Sequence, residues 1–292
     1  MSKFKAWIMA SRPKTLTAAS GPVILGTALA YNETQNISFI IFALTLLAAL
    51  SMQVGTNLVN DYYDAIRGTD SDDRLGPTRV TQTGLIEPKK VKLGFILCFL
   101  FAVLVSIYLM IIGGWTIIIM GICCILAAYC YTGGPFPLSH YALGEVFALI
   151  FFGPVAVWGT YYLQYQSLNL DIIILGFGPG LISAAIMSIN NLRDIKSDKR
   201  ASKVTIATLL GAKYARAFTL TLILSSTFIP YYAALKTDKT WAIIATLSCY
   251  PFYRTWKHIA RGPINSELNN ALANTGKYLF LYSIALSIGL LI

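Results

Sequence analysis

Eight of the 13 acidic residues in this 292-residue chain fall in or beside two short clusters. The first cluster holds Asn57, Asn60, Asp61 and Asp64 at i, i+3, i+4 and i+7, the spacing of one helix face. The second holds Asn190, Asp194 and Asp198 at i, i+4 and i+8, a face that drifts by only about 40° per step. Each cluster closes an apolar run. Carboxylates at the end of a membrane helix are costly unless they are paired or bound to a cation. Two such faces cannot approach one another at neutral pH without positive charge between them. All-oxygen donors of the Asp and Asn type suit Mg2+, which commonly bridges a few carboxylates to the phosphates of a substrate. Arg74, Arg79, Lys196, Lys199, Arg200 and Lys203 lie close enough in sequence to close on the same anion. The plainer alternative is a pair of solvated helix ends with local ion pairs. Recurrence at two related places, each with an Asn one turn before an Asp, favours a divalent-cation and diphosphate site.

The elements that must position these clusters are helices in a membrane. Hydrophobic residues make up 56% of the chain and charged residues only 12%, about half the charge that a soluble domain of this size needs. Nine apolar runs stand out, near 16–31, 38–59, 93–112, 115–132, 142–164, 171–190, 216–235, 240–253 and 276–292. Most have the length that crosses a hydrocarbon core of ~30 Å. Gly21, Pro22 and Gly26 interrupt the first, and the eighth is short. The runs are continuous and do not alternate, which argues against a β-barrel. The reading is an all-α membrane protein of about nine transmembrane helices in one bundle, with a single domain over residues 1–292.

With the N-terminus inside, all basic residues except Lys236 and Lys239 fall on the cytoplasmic side, as the positive-inside rule requires. The +10 net charge is therefore topology and lipid-headgroup contact, and nucleic acid is not an expected partner. The five cysteines sit in or at the ends of apolar runs without metal-ligand spacing and read as packing residues. The acidic clusters end the second and sixth runs, so a coarse pattern recurs four helices apart, as an internal duplication would produce.

Asn60-Asp61-x-x-Asp64 and Asn190-x-x-x-Asp194-x-x-x-Asp198, at the ends of the second and sixth runs, resemble the motif pair of the UbiA prenyltransferase family. The resemblance covers nearly the whole chain. It implies that the two motifs bind the diphosphate of an isoprenoid donor through Mg2+, normally two ions, with Asp61, Asp64, Asp194, Asp198 and Asn57 as metal ligands. Asn60, Asn190, Arg74, Arg79, Lys196 and Lys203 would then hold the diphosphate. One position departs from the family: a further Asp often follows the first motif where this chain has Gly68, with Asp70 and Asp72 nearby as substitutes.

Three more segments, Ser11-Arg-Pro-Lys-Thr-Leu16, Tyr131-Thr-Gly-Gly-Pro-Phe-Pro-Leu138 and Leu143-Gly-Glu145, are similar to those of the family branch whose acceptor is 1,4-dihydroxy-2-naphthoate. That branch implies transfer of a polyprenyl group from polyprenyl diphosphate with loss of CO2, giving demethylmenaquinol in a prokaryotic cytoplasmic membrane, with the active site facing the cytoplasm. Arg12 and Lys14 read either as a seat for the acceptor carboxylate or as charges that set topology. Tyr131 and the Thr-Gly-Gly-Pro run read either as acceptor contacts or as a plain turn. Glu145 is an acceptor ligand, a base or a local ion-pair member. His140 and His258 have no carboxylate partner in local sequence and receive no role. The rivals are a UbiA-type enzyme with another aromatic acceptor, a diphosphate hydrolase, and a cation-coupled membrane transporter. The last needs acids near the bilayer midplane rather than at helix ends beside basic loops.

Overall fold

The computed structural model describes residues 2–68, 75–77 and 79–292, and no β-strand occurs among them. A short helix α1 (Lys3–Ser11) ends at Arg12, whose φ of 49° turns the chain through a 3-10 turn into α2 (Leu16–Thr34). Ser38 caps α3 (Phe39–Arg67), which stops at Gly68 with φ 61°. At about 1.5 Å per residue α3 is ~43 Å long, so it outruns a hydrocarbon core of ~30 Å and its last turns carry the first polar cluster beyond it.

Helix α4 (Pro88–Cys130) contains both the 93–112 and 115–132 runs, and reverses at Gly114. There φ 58° and ψ −150° are open to glycine and strained for other residues. The next run is broken by Pro154: α5 (Gly144–Ile150) passes through a π-helical turn (Phe151–Val155) into α6 (Ala156–Tyr165). Then come α7 (Leu170–Arg193), the short α8 (Ile195–Arg200), and α9 (Ile206–Ser226), opened by a Thr205–Thr208 capping box. After α10 (Ile229–Thr237) a 3-10 helix covers Thr240–Phe252, followed by α11 (Tyr253–Arg261) and α12 (Leu268–Leu291). The 3-10 winding accounts for the short eighth run. At ~2.0 Å per residue its 13 residues reach ~26 Å, where an α-helix of that length would fall far short.

Among the described residues, five helical stretches are long and apolar enough to cross a membrane: Phe39–Arg67, Pro88–Cys130, Gly144–Tyr165, Leu170–Arg193 and Ile206–Thr237. Helix α7 is the most enclosed, and its buried Leu175, Ile182, Ile189 and Leu192 centre the main core. Its close approach to the π-helical turn depends on glycine, since a Cβ on Gly176 would lie 2.7 Å from the Cα of Pro154. Large apolar side chains such as Leu97, Leu104, Ile111, Trp115 and Ile119 stand exposed along α4. A soluble protein would not display such a band, whereas lipid solvates it.

Candidate functional site

The C-terminal half of α3 presents Gln53, Asn57, Asn60 and Asp64 to a cavity of about 690 Å³. Asn190, Arg193 and Asp194 from the end of α7, Asp198 from α8 and Lys203 line the same cavity, and Asn269 from α12 borders it. The two polar faces thus meet at one end of the bundle. The cavity between them continues into the bundle with a mostly apolar lining, including Ala18, Val23, Ala102 and Phe151.

Each carboxylate facing the cavity has a basic partner. Arg79 pairs with Asp64, and both are largely shielded from solvent. Arg193, only 2% exposed, donates Nε to Asp194 Oδ1 at 2.8 Å and Nη2 to Asp194 Oδ2, a two-pronged arrangement. The same guanidinium donates to Asn190 Oδ1 at 2.8 Å and to Asn269 Oδ1 at 2.7 Å. Lys203 Nζ lies 3.5 Å from Asp198 Oδ1, while Asp198 Oδ2 is buried without a hydrogen-bond partner. Burial pushes the Asp198 carboxyl up to about 6; Asp194 adds to the shift and Lys203 opposes it.

Among the described residues no group of three His, Cys, Asp or Glu side chains converges to hold a metal ion. The donor set nevertheless fits a hard divalent cation, because Asp64, Asp194, Asp198, Asn60 and Asn190 offer only oxygen and Asp198 Oδ2 is a buried acceptor with no donor of its own.

The UbiA prenyltransferase family matches residues 19–284 of the chain. The chain belongs to the UbiA prenyltransferase family. A 1,4-dihydroxy-2-naphthoate octaprenyltransferase of Haemophilus influenzae is 36% identical over 99% of this chain and 97% of its own length. One from Bacillus subtilis is 30% identical over 97% and 91%. The structure of a UbiA homologue from Archaeoglobus fulgidus bound to DMAPP and Mg2+ superposes with a TM-score of 0.66 at 17% identity, over 98% of this chain and 99% of that one. The likeness in fold extends across the bundle.

In this UbiA-family chain, three residues expected at the site do not line the cavity. Asp61 is 2% exposed, and its carboxylate accepts hydrogen bonds from the amides of Val80 and Thr81, at 3.2 and 2.9 Å, and from the Thr81 hydroxyl. It pins the loop that delivers Arg79. Glu145, in the first turn of α5, lies off the cavity wall; its Oε1 accepts from Asn191 Nδ2 at 3.0 Å and its Oε2 is unpartnered. Lys196 is exposed on the outer side of α8. Arg74, Asp70 and Asp72 lie outside the described residues.

Asn57 faces the cavity, yet its amide nitrogen donates to Ser11 O and Thr15 Oγ1, both at 3.0 Å. It therefore holds the Arg12–Lys14 segment against α3, and both basic residues line the cavity. Asn60 accepts from the Thr132 hydroxyl, and Arg67 donates to Thr132 O and Gly134 O. The Thr-Gly-Gly-Pro run is thus a turn clamped to α3. Gly133 has to be glycine here, because a Cβ would lie 2.6 Å from Tyr129 O.

Tyr131 lines the cavity with its hydroxyl donating to Met187 Sδ at 3.0 Å. Burial, then the charges of Glu145, Asp64 and Asp198, raise its pKa so that it stays a phenol. His140 also reaches the wall, held neutral with a pKa of about 4 by burial and by Lys203 and Arg67. Sequence reasoning counted Arg193 only as a topology charge and missed Asn269. Their link joins positions 76 apart, and no local spacing signals it.

Proposed function

We infer that this chain transfers a polyprenyl group from polyprenyl diphosphate to 1,4-dihydroxy-2-naphthoate, with loss of CO2, to give demethylmenaquinol. The observation that carries this reading is the meeting of Asn60 and Asp64 with Asn190, Asp194 and Asp198, interleaved with Arg79, Arg193 and Lys203, at the mouth of an apolar cavity. The kinship with naphthoate octaprenyltransferases over nearly the full chain supports the acceptor.

Asp64, Asp194 and Asp198, with Asn60 and Asn190 beside them, are the residues that would hold Mg2+, which when bound supplies Lewis-acid stabilisation of the departing diphosphate. Arg79, Arg193 and Lys203 neutralise the charge that gathers on the diphosphate oxygens as the C–O bond breaks. The apolar walls keep water from the allyl cation, so the electron-rich acceptor ring captures it. Arg12 and Lys14, held by Asn57 at the rim, seat the acceptor carboxylate. Tyr131 is a neutral phenol on the same wall, where it orients the acceptor ring. Glu145 and Asn191 support that wall from behind, Lys196 faces the headgroups, and Asp61 positions Arg79.

The chain acts as one integral-membrane unit. Counting the two halves of α4 separately and adding α2, Thr240–Phe252 and α12 to the other four apolar stretches gives nine crossings. The charge bias then puts the N-terminus and the site on the cytoplasmic side of a prokaryotic inner membrane. A transporter reading is disfavoured by where the carboxylates lie, at one end of α3 and α7.

The test is incubation of membranes containing the chain with octaprenyl diphosphate, Mg2+ and radiolabelled aromatic acids. Prenylated naphthoquinol is expected, and only with the naphthoate. Absence of that product, or full turnover by Asp194→Ala, would overturn the reading.

A further inference from the structure

Asn269 belongs to neither acidic cluster, yet it touches both halves of the site. It stands in the first turn of α12, where Asn269, Leu272, Ala273 and Gly276 follow one helix face along the cavity wall. Its Oδ1 accepts from Arg193 Nη1 at 2.7 Å, and its Nδ2 donates to the main-chain oxygen of Leu75 at 2.7 Å. Chemistry settles the orientation of the amide. A guanidinium can only donate and a carbonyl can only accept, so the oxygen must face Arg193 and the nitrogen must face Leu75.

Each end of this bridge leads to a cation of the site. At the Arg193 end, four of the five N–H groups are engaged among the described residues: Nε and Nη2 with Asp194, Nη2 with Asn190, and Nη1 with Asn269. The fifth is the second hydrogen of Nη1, on a side chain that lines the cavity. Asn190 and Asp194 belong to the same helix end as Arg193 and move with it. Asn269 anchors the guanidinium to a different helix, and so fixes where that last N–H points.

At the Leu75 end, the chain runs on through Pro77 to Arg79, and both line the cavity. Just past Arg79 this loop is fastened to α3, where Val80 and Thr81 donate to Asp61. Before Arg79 it is fastened to α12 by Asn269. The partner of Asp64 is thus suspended between two anchors, one on α3 and one on α12.

We propose that Asn269 is a positioning residue for the donor's diphosphate, aiming Arg193 with one end of its amide and holding the Arg79 loop with the other. The proposal rests on the prenyl-donor reading above and adds to it a residue outside both Asp motifs. Both ends are needed. An apolar side chain here leaves Arg193 tethered only within its own helix end and strands the Leu75 oxygen. An aspartate keeps an acceptor for Arg193 but turns a second acceptor on Leu75, which drives the loop away. The seat at Arg12 and Lys14 is held by Asn57 through Ser11 and Thr15, and does not depend on this bridge.

The experiment compares the unaltered chain with Asn269→Leu, which keeps the volume, and Asn269→Asp, which keeps the pairing with Arg193. It measures KM for octaprenyl diphosphate, KM for 1,4-dihydroxy-2-naphthoate, and the dissociation constant of inorganic pyrophosphate in the presence of Mg2+. In both variants the pyrophosphate constant and the donor KM are expected to rise roughly tenfold, equivalent to ~1.4 kcal/mol or about one hydrogen bond to a charged group. The naphthoate KM is expected to stay unchanged, which a general loosening of the bundle would not allow. An unchanged pyrophosphate constant in either variant would overturn the proposal, as would a naphthoate KM that rises by the same factor as the donor's. If Asn269→Leu does not fold, Asn269→Asp decides by the same measurements. If the unaltered chain does not transfer from octaprenyl diphosphate at all, the donor reading itself fails, and this assignment with it.

Discussion

Asp198 gives the sharpest prediction, because the same feature that suits it to a cation makes it costly without one. Its carboxyl is 10% exposed, one oxygen has no partner, and Lys203 Nζ is 3.5 Å from the other. Burial raises the pKa from 3.8 to about 6. The folded state therefore binds the proton more tightly than the unfolded one. The stability this contributes is complete below the unfolded pKa and is lost as pH rises through about 6. Above that the charged form carries a penalty of about 3 kcal/mol at most, with partial exposure and nearby Lys203 reducing it. Asp198→Asn removes the charge and keeps the shape.

In metal-free detergent solution at neutral pH, thermal unfolding of Asp198→Asn is expected a few degrees above that of the unaltered chain, with the gap closing as pH is lowered below 5. The variant is expected to lose prenyl transfer at the same time. A variant that is less stable at neutral pH and shows an unchanged gap at low pH would refute the reasoning, because it would mean that Lys203 already makes the charged carboxylate favourable.

Asp61 and Asp64 separate by assay. Asp61→Ala strands the Val80 and Thr81 amides and the Thr81 hydroxyl and is expected to cost about 1–3 kcal/mol of stability, seen in thermal unfolding, along with activity. Asp64→Ala is expected to abolish activity, by a hundredfold or more, and to lower stability by about 3 kcal/mol because shielded Arg79 loses its carboxylate. Adding Arg79→Met is expected to reverse that loss without restoring activity; a double variant no more stable than the single one would put Asp64 in the same structural role as Asp61. His140, with its pKa lowered to about 4 by burial, resists a proton that the unfolded chain accepts near 6.5, so it removes stability as pH falls from about 6.5 to 4. His140→Gln is expected to shift the unfolding temperature upward at pH 5 relative to pH 7.5; an unchanged difference between the two pH values would exclude the effect.

Apolar run length made α3, α7 and the two halves of α4 legible, and helical spacing placed Asn60 and Asp64 on one face. The same spacing put Asp61 on that face as well, yet the step of about 100° from Asn60 also lets Asp61 turn to the neighbouring side of α3. What turns Asp61 away is the loop at Val80 and Thr81, whose two amides and one hydroxyl offer it three donors across a sequence distance that no helix period reports. Arg193 was hidden for a similar reason. Its neighbour Asp194 is adjacent, but Asn269, which fixes the guanidinium from the far side, comes from α12. The Thr240–Phe252 segment looked too short because run length was judged with the rise of an α-helix, while the segment is wound as 3-10.

These placements bear on how the proposed reaction is ordered. Asp64 with Arg79, Asp194 with Arg193 and Asp198 with Lys203 make three acid–base pairs in one cavity wall. A cation arriving alone can use the open Asp198 Oδ2, but at Asp64 and Asp194 it has to displace a base, leaving that guanidinium without its carboxylate in a largely buried place. A diphosphate arriving alone has to draw the bases from their carboxylates, with the matching cost on the acids. Breaking one partner from a buried pair is strongly unfavourable. When the two arrive together, each carboxylate exchanges a base for the cation and each freed base finds a phosphate oxygen, so no buried charge is stranded. On the proposed function, donor and metal therefore bind as a unit, and the pairing keeps the site from holding either one unproductively at the edge of the membrane.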